Sequence, residues 1–143
     1  GNGYVEESGM PRLYRDAPLN SIWEGSGNVQ ALDVLRAVSR EPDCLEAFRA
    51  EVARAAGVDR RLDDAAAELD RYVADPDDPE ARARWLVERM ALVLQGSLLV
   101  RYAPAPVADA FCATRLAGQW GHAFGTLPRG LDTDAIVTRA APG

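Results

Sequence analysis

Lysine is absent from this 143-residue chain, and all sixteen basic residues are arginine. Both residue types serve on solvated faces, so the absence is read as a compositional bias of the source. Histidine occurs once, at His122. With no second His, Cys or carboxylate at ligand spacing, the sequence predicts no metal centre. Nor does any nucleophile pair with this histidine, which argues against Ser-His-Asp chemistry. Two cysteines, Cys44 and Cys112, set no disulfide framework and match no metal spacing. A reduced, cytoplasmic chain is the simplest reading. The longest uninterrupted apolar run, Met90 to Leu94, is far too short to span a bilayer, so no membrane partner is expected. The first residues lack the basic start and apolar run of a signal peptide. No alternating strand pattern or internal repeat is present.

What is present is ordinary globular composition, 48% apolar and 27% charged. The net charge of −6 argues against a generic nucleic-acid binder. That charge is uneven. Residues 41–79 carry twelve carboxylates against five arginines, whereas residues 80–143 carry five against seven.

Apolar periodicity predicts an all-α bundle. Residues 1–22 are turn-rich, with Pro11 and Pro18 breaking any long helix and only a short turn over Arg12 to Asp16. The first full helix covers 26–40, with Val29, Leu32, Leu35 and Val38 as its buried stripe and Ser26 or Asn28 as its cap. Helices over 44–56 and 59–74 follow, separated by Gly57, and the breaker Asp75-Pro76-Asp77-Asp78-Pro79 ends the second. The longest runs from Glu80 to about Ala103. Its stripe is Trp85, Leu86, Met90, Val93, Leu94 and Leu98, and it is expected to be central. A fifth helix is predicted from Val107 to Trp120, where short alanines permit close packing, then a glycine-rich loop and a short helix over 132–139.

The stretch that points to chemistry is Asn20-Ser21-Ile22-Trp23-Glu24-Gly25-Ser26-Gly27-Asn28. It delivers one carboxylate, Glu24, to the start of a helix whose free amides also suit an anion or phosphate. The bland alternative is a solvated Glu at the positive end of a helix dipole.

Three blocks in order resemble the end of an acyl-CoA dehydrogenase catalytic core: Gly1-Asn2-Gly3-Tyr4, then Arg12-Leu13-Tyr14-Arg15-Asp16-Ala17, then Ile22 to Val29. That family reads Gly-Gly-x-Gly-Tyr, Arg-Asp-Ala and Ile-Tyr-Glu-Gly-Thr-x-Gln at this spacing. Here Trp23 stands for the Tyr, Ser26 for the Thr and Asn28 for the Gln. The wording through Asn28, with Leu32-Asp33-Val34-Leu35-Arg36 and the later Arg101-Tyr102-Ala103-Pro104-Ala105-Pro106, resembles the alkylation-response, AidB-like branch. The resemblance implies a C-terminal piece of a larger FAD-dependent oxidoreductase. Residues 1–40 would end the catalytic helical domain and residues 41–143 form a helical extension. Acyl-CoA or a related thioester would be the substrate and a homotetramer the parent assembly. The piece by itself is expected neither to retain FAD nor to turn over.

The same resemblance implies roles for single residues. Glu24 takes the general-base position for abstracting the proton next to a thioester carbonyl. Trp23 lines and narrows the acyl pocket, against the alternative of a core Trp. Ser26 and Asn28 match FAD-contacting positions, against simple capping, and Gly1, Asn2 and Gly3 match the loop approaching a neighbouring subunit's FAD. Arg36 pairs with the base carboxylate, against a solvated Arg at a helix end. The branch's association with DNA makes duplex DNA a candidate partner, through Arg82, Arg89, Arg101 and Arg115. The competing reading packs Trp85 inward and pairs these arginines with the acidic helix at 59–74. Against the enzyme stands a second class: a non-enzymatic helical module that binds DNA or a subunit.

Overall fold

In the computed structural model, which describes residues 1–23 and 25–141, the chain is all-α, and no strand occurs among the described residues. Seven α-helices are assigned among them: α1 (Met10–Asp16), α2 (Gly27–Arg40), α3 (Pro42–Ala53), α4 (Arg60–Ala74), α5 (Ala83–Tyr102), α6 (Ala105–Phe111) and α7 (Thr133–Ala140). A 3₁₀ turn over Ala17–Ser21 extends α1, and a π turn over Cys112–Leu116 extends α6.

Prolines start helices here as often as they end them. Pro11, Pro18, Pro42 and Pro106 each sit within the first turn of an element. There the missing N–H costs nothing and the fixed φ is already helical. That is why the segment expected to be turns contains α1, and why α3 and α6 begin two residues before their expected starts. Asp59 caps α4 by accepting from the Arg61 amide at 2.8 Å, and Asp132 caps α7 through the Ala135 amide at 3.0 Å.

The core is α5 wrapped by α2, α3, α4 and α6. Its centre is Leu62 and Val93, with Ala55, Leu69, Leu86, Cys112 and Leu116 around them. Gly96 and Ser97 lie on the buried face of α5. A Cβ on Gly96 would stand 2.9 Å from Leu116 Cδ1 and 3.2 Å from Leu62 Cδ1, so this glycine lets both neighbours pack onto the α5 backbone. Leu98, expected in the stripe, is turned outward because Gly96 and Ser97 take the contact face. Buried hydroxyls are satisfied by their own helices: Ser97 donates to the Leu94 carbonyl and Thr114 to that of Ala110.

The fifth helix stops at Phe111 as regular α-helix. The π turn follows, with the Ala117 amide donating five residues back to the Cys112 carbonyl, and Gly118 then takes φ +67°. Helix α2 also departs from expectation. Its face toward α5 carries Ala31, buried, with Leu35 and Val38 half-buried, while Val29 and Leu32 are exposed. The three-residue spacing is real, but α5 covers only the C-terminal half of that stripe.

Between α4 and α6 lies an ionic clasp. Arg61 donates to both Asp59 (2.6 Å) and Asp109 (2.8 Å). The guanidinium holds the Asp59 carboxyl below its ordinary pKa, and the two carboxylates raise that of Arg61. Burial pushes the Cys112 thiol up to about 11, beside the same Asp59.

Candidate functional site

The site expected from sequence is the turn between the 3₁₀ element and α2. The chain enters it with Ile22 and Trp23 both donating backbone N–H to the Leu19 carbonyl, at 3.0 and 3.1 Å. The Trp23 indole N–H donates to Asn20 Oδ1 at 3.2 Å, and the ring is more than half exposed. Trp23 is therefore a surface aromatic in this chain, not a core one. Glu24, the expected base, lies outside the described residues. Gly25 has φ +108°, a backbone state that L side chains rarely adopt, and its carbonyl accepts from the Gln30 amide group at 3.1 Å. Ser26 has extended N-cap geometry, but its hydroxyl makes no capping bond. The first helical bond runs from the Gln30 N–H to the Ser26 carbonyl, so the preceding amides point out of the helix start.

Asn28 sits in the first turn of α2, and its Oδ1 accepts from Arg84 Nη1 at 3.3 Å. The same guanidinium is the nearest group to Gly27, 3.7 Å from where a Cβ would stand. Arg84 was not singled out by sequence, because it is 56 residues downstream and only the α2–α5 packing brings it here. A guanidinium over a helix N-terminus adds positive charge where the dipole is already positive, an arrangement that suits a phosphate.

The remaining expected residues are placed elsewhere. Arg36 is exposed on α2 and pairs with Asp33, one turn back on its own helix. Gly1 accepts from the Tyr4 amide at 3.0 Å, and Asn2 is exposed. At Gly3 a Cβ would fall 2.8 Å from Tyr14 Cβ, so its missing side chain already serves the contact with α1.

The four arginines proposed for nucleic acid do not form one solvated strip. Arg82 stacks over Trp85, 4.5 Å from the ring centroid, and over Tyr72 at 5.1 Å. Arg89 pairs with Glu68 of the acidic α4 at 2.6 Å. Arg101 pairs with Glu51 of α3 at 2.6 Å, which holds the Glu51 carboxyl below its ordinary pKa. Arg115 leans on Trp120, 5.8 Å from the centroid. Trp85 packs against the core, as the competing reading had it, though only Arg89 pairs with α4. The cavities among the described residues lie away from the α2 turn. One of about 340 Å³ lies between α3 and α4, and a cleft of about 510 Å³ runs between α5 and the π turn. No helix of the described residues is long and apolar enough to cross a membrane, and none of their side chains cluster as a metal site.

Residues 1–39 match the family described as acyl-CoA dehydrogenase, C-terminal domain. AidB of Escherichia coli (strain K12), which carries the acyl-CoA dehydrogenase name, is 37% identical over 121 residues. That alignment covers 85% of this chain and 22% of AidB. Acyl-CoA dehydrogenase family member 11 of Caenorhabditis elegans is 47% identical over 57 residues, covering 40% of this chain and 9% of that protein. The chain thus spans about a fifth of AidB and less than a tenth of the other. With the all-α fold and the three motif blocks, these matches place residues 1–39 in the acyl-CoA dehydrogenase C-terminal domain family and make most of the chain similar to part of AidB.

Proposed function

We propose that this chain is the C-terminal part of an FAD-dependent acyl-CoA dehydrogenase-type oxidoreductase, with Glu24 as its general base. The observation that supports the reading is the α2 turn. It brings a glycine at φ +108° and an uncapped helix start together with the Arg84 guanidinium of α5, next in sequence to the family's Glu position. In this reading the Glu24 carboxylate takes the proton from the carbon next to the thioester carbonyl. Trp23 forms the apolar wall against which the acyl chain lies and helps exclude water. Ser26, Asn28 and Arg84 hold the cofactor's phosphate side, and Gly1, Asn2 and Gly3 approach the flavin of a neighbouring subunit. When bound, FAD supplies the acceptor for the β-hydride. Arg36, which pairs with Asp33 on its own helix, is proposed as the partner of the base carboxylate.

The parent is proposed as a homotetramer acting on an acyl-CoA or related thioester, in the cytoplasm. The chain matches about a fifth of AidB, so the chain alone is proposed to be inactive and free of FAD. The test is Glu24→Gln in the intact gene product, which keeps side-chain shape while removing the base. The variant is expected to retain FAD and lose bleaching of the flavin by acyl-CoA. Bleaching at the wild-type rate in the variant would refute the assignment.

One observation favours the second reading, a helical interaction module. Large apolar side chains are exposed in a continuous stretch of sequence from Tyr4 to Leu32, as on a surface that meets another chain. For duplex DNA as that partner the support is thinner. Arg89 and Arg101 are already paired, which leaves Arg82 and Arg115 for phosphates. A colourless, flavin-free gene product would favour this reading over the enzyme.

A further inference from the structure

Helices α3 and α4 each pack on α5, and the cavity of about 340 Å³ lies between them. Its floor is Leu62 and Val93, the buried centre of the core. Phe48, Val52, Ala66 and Leu69 line its walls. The lining is mainly apolar, and the volume lies within the usual size of small-ligand sites.

The charged side chains of the lining are Arg49, Asp63 and Asp70. Arg49 of α3 donates from Nε to Asp70 of α4 at 2.8 Å and from Nη1 to Glu46 at 2.8 Å, which ties the two walls together at one end. Asp63, two turns away on α4, stands differently. It is half-buried and makes no ion pair among the described residues. Its two carboxylate oxygens share one neutral donor, the Gly57 amide, at 3.1 and 3.2 Å. That bond orients the carboxylate without compensating its charge. The arginines nearest in sequence are engaged elsewhere, Arg60 with Asp64 and Arg61 with Asp59 and Asp109. A carboxylate without a countercharge beside an apolar cavity is costly, and a cation brought to it gains more than it would in water.

Apolarity and charge together select the ligand class. A fatty carboxylate would fill the cavity but set a second anion against Asp63. An uncharged hydrocarbon would fill it and leave the Asp63 charge as it is. An inorganic cation would meet Asp63 and leave the apolar walls bare. A helix of a partner protein, about 10 Å across, would have to break the Arg49–Asp70 bond that joins the walls. An aliphatic chain ending in an ammonium group meets both demands, and the way along α4 from Asp63 to Asp70 is about 10 Å.

We propose that the α3–α4 cavity binds an aliphatic amine, with its ammonium group on the Asp63 carboxylate and its chain over Leu62, Ala66, Leu69 and Val93. The site is separate from the thioester chemistry at the α2 turn and does not rest on it.

The experiment is isothermal titration calorimetry of the full chain with octylammonium, octanoate and octanol, which share a chain and differ in the head group. Asp63→Asn removes the charge while keeping an oxygen for the Gly57 amide. Ala66→Leu fills the cavity from a half-buried wall position. Asp64→Asn is the control, an exposed carboxylate next in sequence that lies outside the lining. Wild type and control are expected to bind octylammonium more tightly than octanol, and octanoate least. Asp63→Asn is expected to bind octylammonium at least about tenfold more weakly, the loss of one charged contact, with octanol unchanged. Ala66→Leu should weaken both. Thermal melts check that each variant folds, and the Asp63→Asn comparison stands without the filled variant. The proposal is overturned if octylammonium does not bind by about 1 mM. It is equally overturned if octanoate binds as tightly as octylammonium, if Asp63→Asn binds octylammonium like wild type, or if Asp64→Asn loses as much as Asp63→Asn.

Discussion

Residues 1–23 and the bundle from α2 to the π turn are both rich in apolar side chains, yet they use them in opposite ways. In the bundle, Ala55, Leu62, Val93 and Cys112 are at most 1% exposed. In the first stretch Tyr4, Val5, Met10, Leu13, Tyr14, Leu19, Ile22 and Trp23 are all exposed, several by more than half, and Pro11 is the one buried residue. Apolar content makes a core only where another element supplies the facing surface. For the bundle that element is α5. For residues 1–23 no described element supplies it, and those residues lie within the stretch that matches the acyl-CoA dehydrogenase domain. Large apolar residues displayed together mark an interaction surface. The comparison therefore divides the described molecule into a part stabilised by its own packing and a part whose apolar side chains no described element covers.

The sharpest way to break the comparison is to empty the bundle's centre. Leu62→Ala removes a side chain that is 1% exposed and touches α5 at its glycine. It is expected to cost about 2–5 kcal/mol by urea unfolding. Cys112 reports the same event, because its buried thiol resists alkylation while Cys44 is exposed. One thiol should react quickly in the native wild type and two in the variant. A loss below about 1 kcal/mol would mean that the bundle is not the stable unit.

A smaller effect is expected at the clasp. Arg61→Met breaks the link from α4 to α6 and leaves Asp59 and Asp109 without their shared cation. Hydrogen bonds to charged groups are worth about 1.5–3 kcal/mol each, and partial exposure of Arg61 points to the low end. The pH dependence checks the cause. The folded-state pKa of Asp59 lies below its ordinary 3.8, so its contribution is complete above that value. It is lost as pH falls through 3.8 toward the folded pKa. The wild type should therefore lose stability over that window, and Arg61→Met should show a flatter acid limb. Parallel limbs would show that Asp59 gains nothing from Arg61.

Much of this was legible in the sequence, for reasons that differ by element. Helix α4 was bounded within a residue because Asp59, a polar cap, precedes a periodic apolar run and the Asp75–Pro79 breaker follows it. The family was legible because three blocks kept their order and spacing. The first-turn prolines misled because the residue alone does not say whether it ends one helix or opens another. Helix α2 misled because periodicity reports an apolar face, not the partner that covers it. Arg84 and the paired states of Arg89 and Arg101 depend on tertiary contacts 56, 21 and 50 residues away in sequence, which no local pattern encodes.

The smallest expected effect tests the other half of the comparison. Every side-chain hydrogen bond of residues 1–23 among the described residues stays inside the segment. Met10 donates to Ser8, Arg15 to Glu6, Ser21 to the Pro18 carbonyl and Trp23 to Asn20. Gly3, too, makes its close approach to Tyr14 within the segment. The backbone amides of Ile22 and Trp23 return to Leu19 rather than to the bundle. Deleting residues 1–23 therefore removes no bonded partner from α2 to α7. The unfolding free energy of the 143-residue chain should change by no more than about 0.5 kcal/mol, as for surface changes away from packed features. Binding of an apolar dye should fall at the same time, because the deletion takes eight exposed apolar side chains with it. A shift of 2 kcal/mol or more, about the cost of losing a buried side chain, would show that the segment packs on the bundle. An unchanged stability with undiminished dye binding would place the apolar surface elsewhere, on Trp120, Phe124 and Leu127 of the later loop. Only the combination of constant stability and lost dye binding fits a segment whose apolar face is reserved for another chain surface.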